Sequence, residues 1–290
     1  MKTIGAVMIV KNEEACLGKC LESLRDLDEI VILDTGSTDN TRDVAAQFPC
    51  KYIEGVYTWN DSFEEARGMA AKYSTSDWTL IIDADEFLVE GSAAVIKQTI
   101  QETPVRVFDI IAESIRTHGK HQQPRLYVRA PDVFWKGKIH NYLSIRGEKI
   151  LEGVTIMYGY SPAHNNDPDR ALRILTAELQ RDPNKRREKL YLAREYMYRK
   201  NWDEALKWYA LFLQTANWAP EIAEAHYNVA LCYKQMGQWQ KARDACIKAI
   251  GINPDFKRAL ILMGDLSFPD NKEKWHRLAT VSENKGVLFG

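Results

Sequence analysis

Two carboxylates stand two positions apart at Asp83 and Asp85, directly after the apolar run Trp78–Ile82. Oxygens at that spacing just past a buried strand suit a hard divalent cation, Mg2+ or Mn2+, which would bridge a diphosphate and neutralise it. A solvated acidic turn is the plain alternative. A calcium loop of the EF-hand type is excluded, because the sixth position counted from Asp83 is Leu88 rather than glycine. A second polar cluster, Asp34-Thr35-Gly36-Ser37-Thr38-Asp39, contains the Asp-Thr-Gly-Ser string of aspartic proteases. Those enzymes need two aspartates sharing a proton, and no second Asp-Thr-Gly or Asp-Ser-Gly is present. A third cluster is Lys11-Asn12-Glu13-Glu14. The chain has no G-x-G-x-x-G, no G-x-x-x-x-G-K-[ST], no G-x-S-x-G and no H-E-x-x-H.

Each cluster closes a short apolar run, and those runs alternate with amphipathic segments, the mark of β-α-β units and a mainly parallel sheet. Strands are expected at Thr3–Val10, Glu29–Leu33, Lys51–Glu54 and Trp78–Ile82. Helices are expected at Glu13–Arg25 capped by Asn12, at Thr41–Phe48, and from a cap at Asn60 or Asp61 through Tyr73. Ligands of open parallel sheets bind beyond the carboxyl ends of the strands, so the three clusters are expected to meet in one crevice.

Taken in order and spacing, Ile9-Val10-Lys11-Asn12-Glu13-Glu14, Leu33 to Thr41 and Ile81-Ile82-Asp83-Ala84-Asp85-Glu86 resemble family 2 glycosyltransferases. The resemblance covers about residues 3 to 160 and implies the GT-A fold, an α/β, Rossmann-like domain that binds a sugar nucleotide. It implies that Asp34 receives the base or ribose with Asn12, Glu14 and Asp39 nearby, that Asp83 reaches the ribose and metal side, and that Asp85 ligates the metal. Arg67 lies where the family often has Ala-Arg-Asn and would pair with phosphate, although Ala66-Arg67-Gly68 leaves a plain surface arginine open.

Two departures bear on the chemistry. Arg125-Leu126-Tyr127 and Lys138-Ile139-His140-Asn141 resemble the family's Arg-Leu-Phe and His-Glu segments, but Asn141 replaces a glutamate that is a candidate general base, and an amide accepts no proton at neutral pH. His140, Glu113, Asp109 and Asp132 are the substitutes. Met157-Tyr158-Gly159-Tyr160 stands where relatives often have His-Tyr-Gly-Tyr, and a thioether is a poor ligand for Mg2+ or Mn2+. His164 or His140 would take that place, or the metal would rely on Asp85, diphosphate and water; each histidine is otherwise a structural or surface residue.

From about Asp167 the strand signals stop and a repeat takes over. Tyr196, Trp202 and Ala205 recur 37 positions later as Tyr233, Trp239 and Ala242, while Ala171 and Ala205, and Pro220 and Pro254, are 34 apart. Small alanines let paired helices approach and aromatics fill the gaps between pairs, as in tetratricopeptide repeats. Two full repeats are expected, Lys189–Pro220 and Glu221–Pro254, after a half repeat and before a capping helix at Phe256–Leu266. The domains are therefore an α/β GT-A domain over residues 1–165 and an all-α, tetratricopeptide-like repeat domain over 166–290.

The 290 residues carry net charge −1, which conceals a split: residues 1–160 hold 18 basic and 24 acidic side chains, and the remainder 21 and 16. The apolar run Ile4–Val10 is too short to span a bilayer and ends in charge rather than at a small-residue cleavage site. Five scattered cysteines without a C-x-x-C pair argue against disulfides and structural zinc and for a reducing cytoplasm, with the inner membrane face as a peripheral location.

The expected activity is metal-dependent, inverting transfer of a sugar from a nucleoside diphosphate, uridine diphosphate by preference. The acceptor is a hydroxyl on a saccharide or lipid-linked glycan first, then a protein or modified DNA. The basic group Lys185-Arg186-Arg187-Lys189 with Arg194, Arg199 and Lys200 would suit an acidic acceptor, and the repeats would equally serve as an oligomer interface. A repeat scaffold with a degenerate sugar-nucleotide domain is the competing expectation.

Overall fold

The structure is a computed structural model that describes residues 1–285, with the backbone alone at His164 and Pro269. Residues 286–290 of the predicted helical domain lie outside the described residues. The chain divides into two compact units, Met1–Pro168 and the residues from Asp169 onward.

The first unit is built on β1 (Ile4–Val10), whose side chains alternate between two covered faces. Ala6, Met8 and Val10 pack with Leu17, Cys20 and Leu21 of α1 (Leu17–Ser23), while Val7 packs with Val31, Leu33 and Ile81 on the other face. Burial on both sides explains the continuous apolar sequence of this strand. β1 pairs in parallel with β2 (Glu29–Asp34) and with β4 (Trp78–Ile81), and β2 pairs in parallel with β3 (Lys51–Ile53). The sheet continues through β5 (Glu86–Leu88), β6 (Val107–Ser114), β7 (Lys120–Val128) and, after the small hairpin of β8 (Trp135–Lys136) and β9 (Tyr142–Leu143), β10 (Lys149–Tyr158). The strand order is β3-β2-β1-β4-β7-β6-β10-β5, with β7 antiparallel to both neighbours and β5 antiparallel to β10.

That order places the switch in strand direction of growth between β1 and β4, the point where open α/β sheets leave a crevice at their carboxyl ends. Val10 lies in register with Asp34, and Val7 with Ile81, so the ends of β1, β2 and β4 share one edge.

Three local expectations need correction. Asn12 does not cap a helix from Glu13: it has left-handed backbone (φ +60°), residues 13–16 form a turn, and α1 begins at Leu17. The N–H groups of Glu13 and Glu14 are taken instead by Thr41 Oγ1 at 2.7 Å and Asp39 Oδ2 at 3.2 Å. The helix after β2, α2 (Thr41–Ala45), stops short of Phe48. α3 (Phe63–Lys72) is capped by Ser62, whose Oγ accepts the N–H of Glu65, not by Asn60 or Asp61. α4 (Ser92–Glu102) covers the Met8 face through Ile96 and Ile100.

The second unit is a run of helices: α5 (Arg170–Arg181), α6 (Arg186–Tyr198), α7 (Trp202–Leu213), α8 (Ala219–Gln235), α9 (Trp239–Ile252), α10 (Lys257–Leu266) and α11 (Pro269–Val281). The repeated alanines Ala205 and Ala242 are fully buried, Ala205 in one core with Tyr209 and Phe212 and Ala242 in another with Cys246 and Phe256. α10 does not end the array as a capping helix, because α11 follows it and brings Trp275 against the same core.

Candidate active site

Asp34 ends β2 and is 7% exposed. Its Oδ1 accepts the N–H of Gly36 at 2.9 Å, the N–H of Ser37 at 2.8 Å and the Ser37 hydroxyl at 2.9 Å, while Oδ2 accepts the Tyr52 hydroxyl. Burial, then this carboxylate, push the Tyr52 phenol up and keep it protonated as the donor. Gly36 has φ +109°, which a side chain would strain, so the loop can wrap the carboxylate. Asp34 therefore fixes the loop that forms one wall of the crevice and retains acceptor capacity on Oδ2.

Asn12 stitches that loop to the end of β1. Its Oδ1 accepts the N–H of Thr38 at 2.7 Å, and its own N–H donates to Ser37 Oγ at 2.9 Å. Glu14 Oε2 accepts both the backbone and side-chain N–H of Asn40 at 2.9 and 2.7 Å. Asp39 caps the start of α2 through Thr41 N at 3.0 Å. The structure brings Asn12, Glu14, Asp34 and Asp39 together, and much of their hydrogen bonding is to one another's loops.

Asp83, just past β4, faces two guanidinium groups. Arg67 Nη2 donates to its Oδ1 at 2.9 Å, and Arg125 Nη1 stands 3.7 Å from its Oδ2. Arg67 is only 8% exposed and lies 4.9 Å over the Trp135 ring, so it is a buried partner of Asp83 rather than a surface arginine. Arg125 also pairs with Glu86 at 2.7 Å, and Glu86 accepts the N–H of Asp83 at 2.8 Å. Burial raises Glu86 to about 7, with Arg125 opposing and Asp83 adding to the rise.

Asp85 is approached by the segment after β10. Ser161 N–H donates to Asp85 Oδ2 at 3.3 Å, Gly159 N–H to the Asp85 carbonyl at 3.0 Å, and the Ser161 hydroxyl to Glu13 Oε2 at 2.6 Å. Burial raises Glu13 to about 7; the Ser161 bond opposes this, and the charges of Asp85, Asp83 and Asp39 reinforce it. Glu13, Glu86, Arg125 and Ser161 are thus site residues that spacing alone did not single out. The first three stand inside or beside the quoted strings, but Ser161 has no signal in the sequence.

The donor set fits a hard cation. Asp83 and Asp85 supply carboxylate oxygens of the kind such a cation takes, and their charges add to the burial that chiefly raises Glu13. Among the described residues no group of three His, Cys, Asp or Glu is arranged to hold a metal alone, so diphosphate and water oxygens would complete the shell.

The remaining expected residues scatter. His140 is exposed with left-handed backbone (φ +47°), in a loop tied to the start of α3 by Phe63 N–H to Lys138 O at 2.9 Å and Gly137 N–H to Glu64 Oε2 at 2.6 Å. Glu113 lies at the carboxyl end of β6 beside Met157, and its bond to Lys120 lowers its pKa, which weakens it as a base. Asp109 lies within β6, half-buried and raised by desolvation. The structure does not bring Asp132 to the crevice: it pairs with Arg106 at 2.6 Å, where β6 begins, at the opposite end of the sheet. The His164 side chain lies outside the described residues.

The sequence model of glycosyl transferase family 2 matches residues 6–156, more than half of the chain. The chain belongs to this family. The tetratricopeptide repeat model matches residues 223–256, which span most of α8 and all of α9. The fold is accordingly a GT-A domain followed by a helical repeat region. A TPR repeat-containing protein of Synechococcus elongatus is 31% identical over 143 residues, 48% of this chain and 35% of that protein. The SPbeta prophage-derived glycosyltransferase SunS of Bacillus subtilis is 29% identical over 182 residues, 59% and 43% of the two chains. The lipopolysaccharide core biosynthesis glycosyltransferase LpsC of Rhizobium meliloti is 41% identical over 91 residues, 29% and 32%. The chain spans less than half the length of these curated relatives. Among solved structures, S. aureus TarS 1-349 in complex with UDP aligns at TM-score 0.47 and 16% identity, over 99% of this chain and 89% of that one. Among the described residues no helix is long and apolar enough to cross a membrane.

Proposed function

We propose that the first unit is a glycosyltransferase that moves a sugar from a nucleoside diphosphate, with uridine diphosphate as carrier, to an acceptor hydroxyl with inversion. The observation that carries this reading is the meeting of Asn12, Asp34, Asp83 and Asp85 at the carboxyl ends of β1, β2 and β4, on the switch point of a family 2 domain.

The loop fixed by Asp34 and Asn12 offers backbone and carboxylate groups to the base and ribose, the Oδ2 side of Asp34 being the acceptor. Asp85, with Asp83 beside it, would hold Mn2+ or Mg2+. That ion, when bound, stabilises the charge that develops on the leaving diphosphate. His140 serves as general base, because Glu113 is held in an ion pair and Asn141 accepts no proton. A saccharide acceptor is favoured by what LpsC is named for, and the repeat unit is the natural platform for acceptor or for a second copy. A cytoplasmic location is supported by five free cysteines, of which Cys20, Cys232 and Cys246 are buried.

Release of UDP from UDP-sugars with manganese tests the assignment. Wild type is expected to turn over at least one donor, and Asp85→Asn to lose a hundredfold or more while retaining its thermal midpoint. Wild-type turnover by Asp85→Asn would overturn the metal assignment, and loss of the fold would show a structural carboxylate instead.

A further inference from the structure

The turn between β4 and β5 holds more charge than metal binding by Asp83 and Asp85 requires. Arg125 and Glu86 are 7% and 5% exposed and joined at 2.7 Å. Arg125 Nε donates to Gln123 Oε1 at 2.9 Å, but its Nη1 is buried without a hydrogen-bond partner and lies 3.7 Å from Asp83 Oδ2. Arg67 holds the same carboxylate from another direction. Both guanidinium groups are too deeply buried to grip a phosphate without leaving their partners, so they reach a ligand only through Asp83.

A buried cation deprived of its partner moves to the nearest anion, because the desolvation cost is otherwise uncompensated. For Arg125 that anion would be Asp83, already engaged by Arg67. We propose that Glu86 and Arg125 are positioning residues: Glu86 holds Arg125 at 2.7 Å and caps the Asp83 N–H, so that Arg125 stays 3.7 Å from Asp83 Oδ2 instead of closing onto the carboxylate that meets the donor's cation. The inference rests on the sugar-nucleotide reading of the crevice, and it concerns how the Asp83 carboxylate is held.

The test is calorimetric titration of UDP into wild type, E86Q and the double variant E86Q/R125M, each with and without Mn2+, alongside thermal denaturation. Glutamine keeps the size and the cap but loses the charge. E86Q is expected to lose at least tenfold of the affinity gain that manganese confers, and removal of Arg125 in the double variant is expected to restore that gain to within threefold of wild type. A merely structural pair predicts the reverse order, the double variant no better than the single. An undiminished manganese gain in E86Q, or no recovery in E86Q/R125M, overturns the inference while wild-type binding preserves the donor reading. Absence of UDP binding by wild type overturns both. Should E86Q fail to fold, the double variant decides alone: a retained gain supports the inference and a lost one overturns it.

Discussion

Glu13 sits where a carboxyl group is least comfortable. Burial comes first among the causes that lift it from 4.5 to about 7; Ser161 resists, and Asp85, Asp83 and Asp39 add repulsion. The folded chain therefore holds a proton that the unfolded chain has released. Its contribution to stability is complete below about pH 4.5 and is lost as pH rises through about 7. Glu86 is raised in the same direction. In chelator-containing buffer, Glu13→Gln is expected to flatten the fall in thermal midpoint between about pH 5 and 8. A slope unchanged from wild type would place the titration elsewhere. At this scale Asp34, Asp83 and Asp85 were legible from type and position after a strand, because the ends of parallel strands are where chemistry collects. Their partners were not: Arg67 and Arg125 come from other elements, and only packing shows that both turn inward on Asp83.

The strands were legible as elements because burial on both faces leaves an unbroken apolar run, as in Ile4–Val10. Caps were harder to place, since tertiary bonds compete for the same N–H groups. Asn12 has the right chemistry for a cap but spends its Oδ1 on Thr38. Ser62 with Glu65 three positions later has the spacing of a capping box, and Asn60 and Asp61, equally good caps by residue type, mask it in the sequence. Ser62→Ala removes the acceptor for the Glu65 N–H from a residue only 1% exposed, and should cost about 1 kcal/mol. Urea denaturation with an unchanged midpoint would show that this cap contributes nothing. β5 and β10 carry a weak sequence signal for another reason. They pair antiparallel at the sheet edge, and β10 bends through a register shift between Ile150 and Thr155 that breaks simple alternation.

Over the whole molecule, the acidic crevice lies in the first compact unit and the helical repeats in the second. The 37-residue spacing announced the helices through α9, because buried Ala205 and Ala242 are needed wherever two helices approach closely. It did not announce α11, whose core contact is Trp275 rather than a residue in the repeated positions. What the repeats hold is a question for acceptor chemistry; what the first unit binds is open to one direct measurement. UDP titrated into the full chain by calorimetry, with and without Mn2+, tests the crevice itself. Binding is expected at the micromolar level, about −8 kcal/mol, strengthened at least tenfold by manganese and weakened by Asp34→Ala. Absence of heat in both conditions, or binding indifferent to manganese and to Asp34, would contradict a cation-assisted sugar-nucleotide site at the ends of β1, β2 and β4.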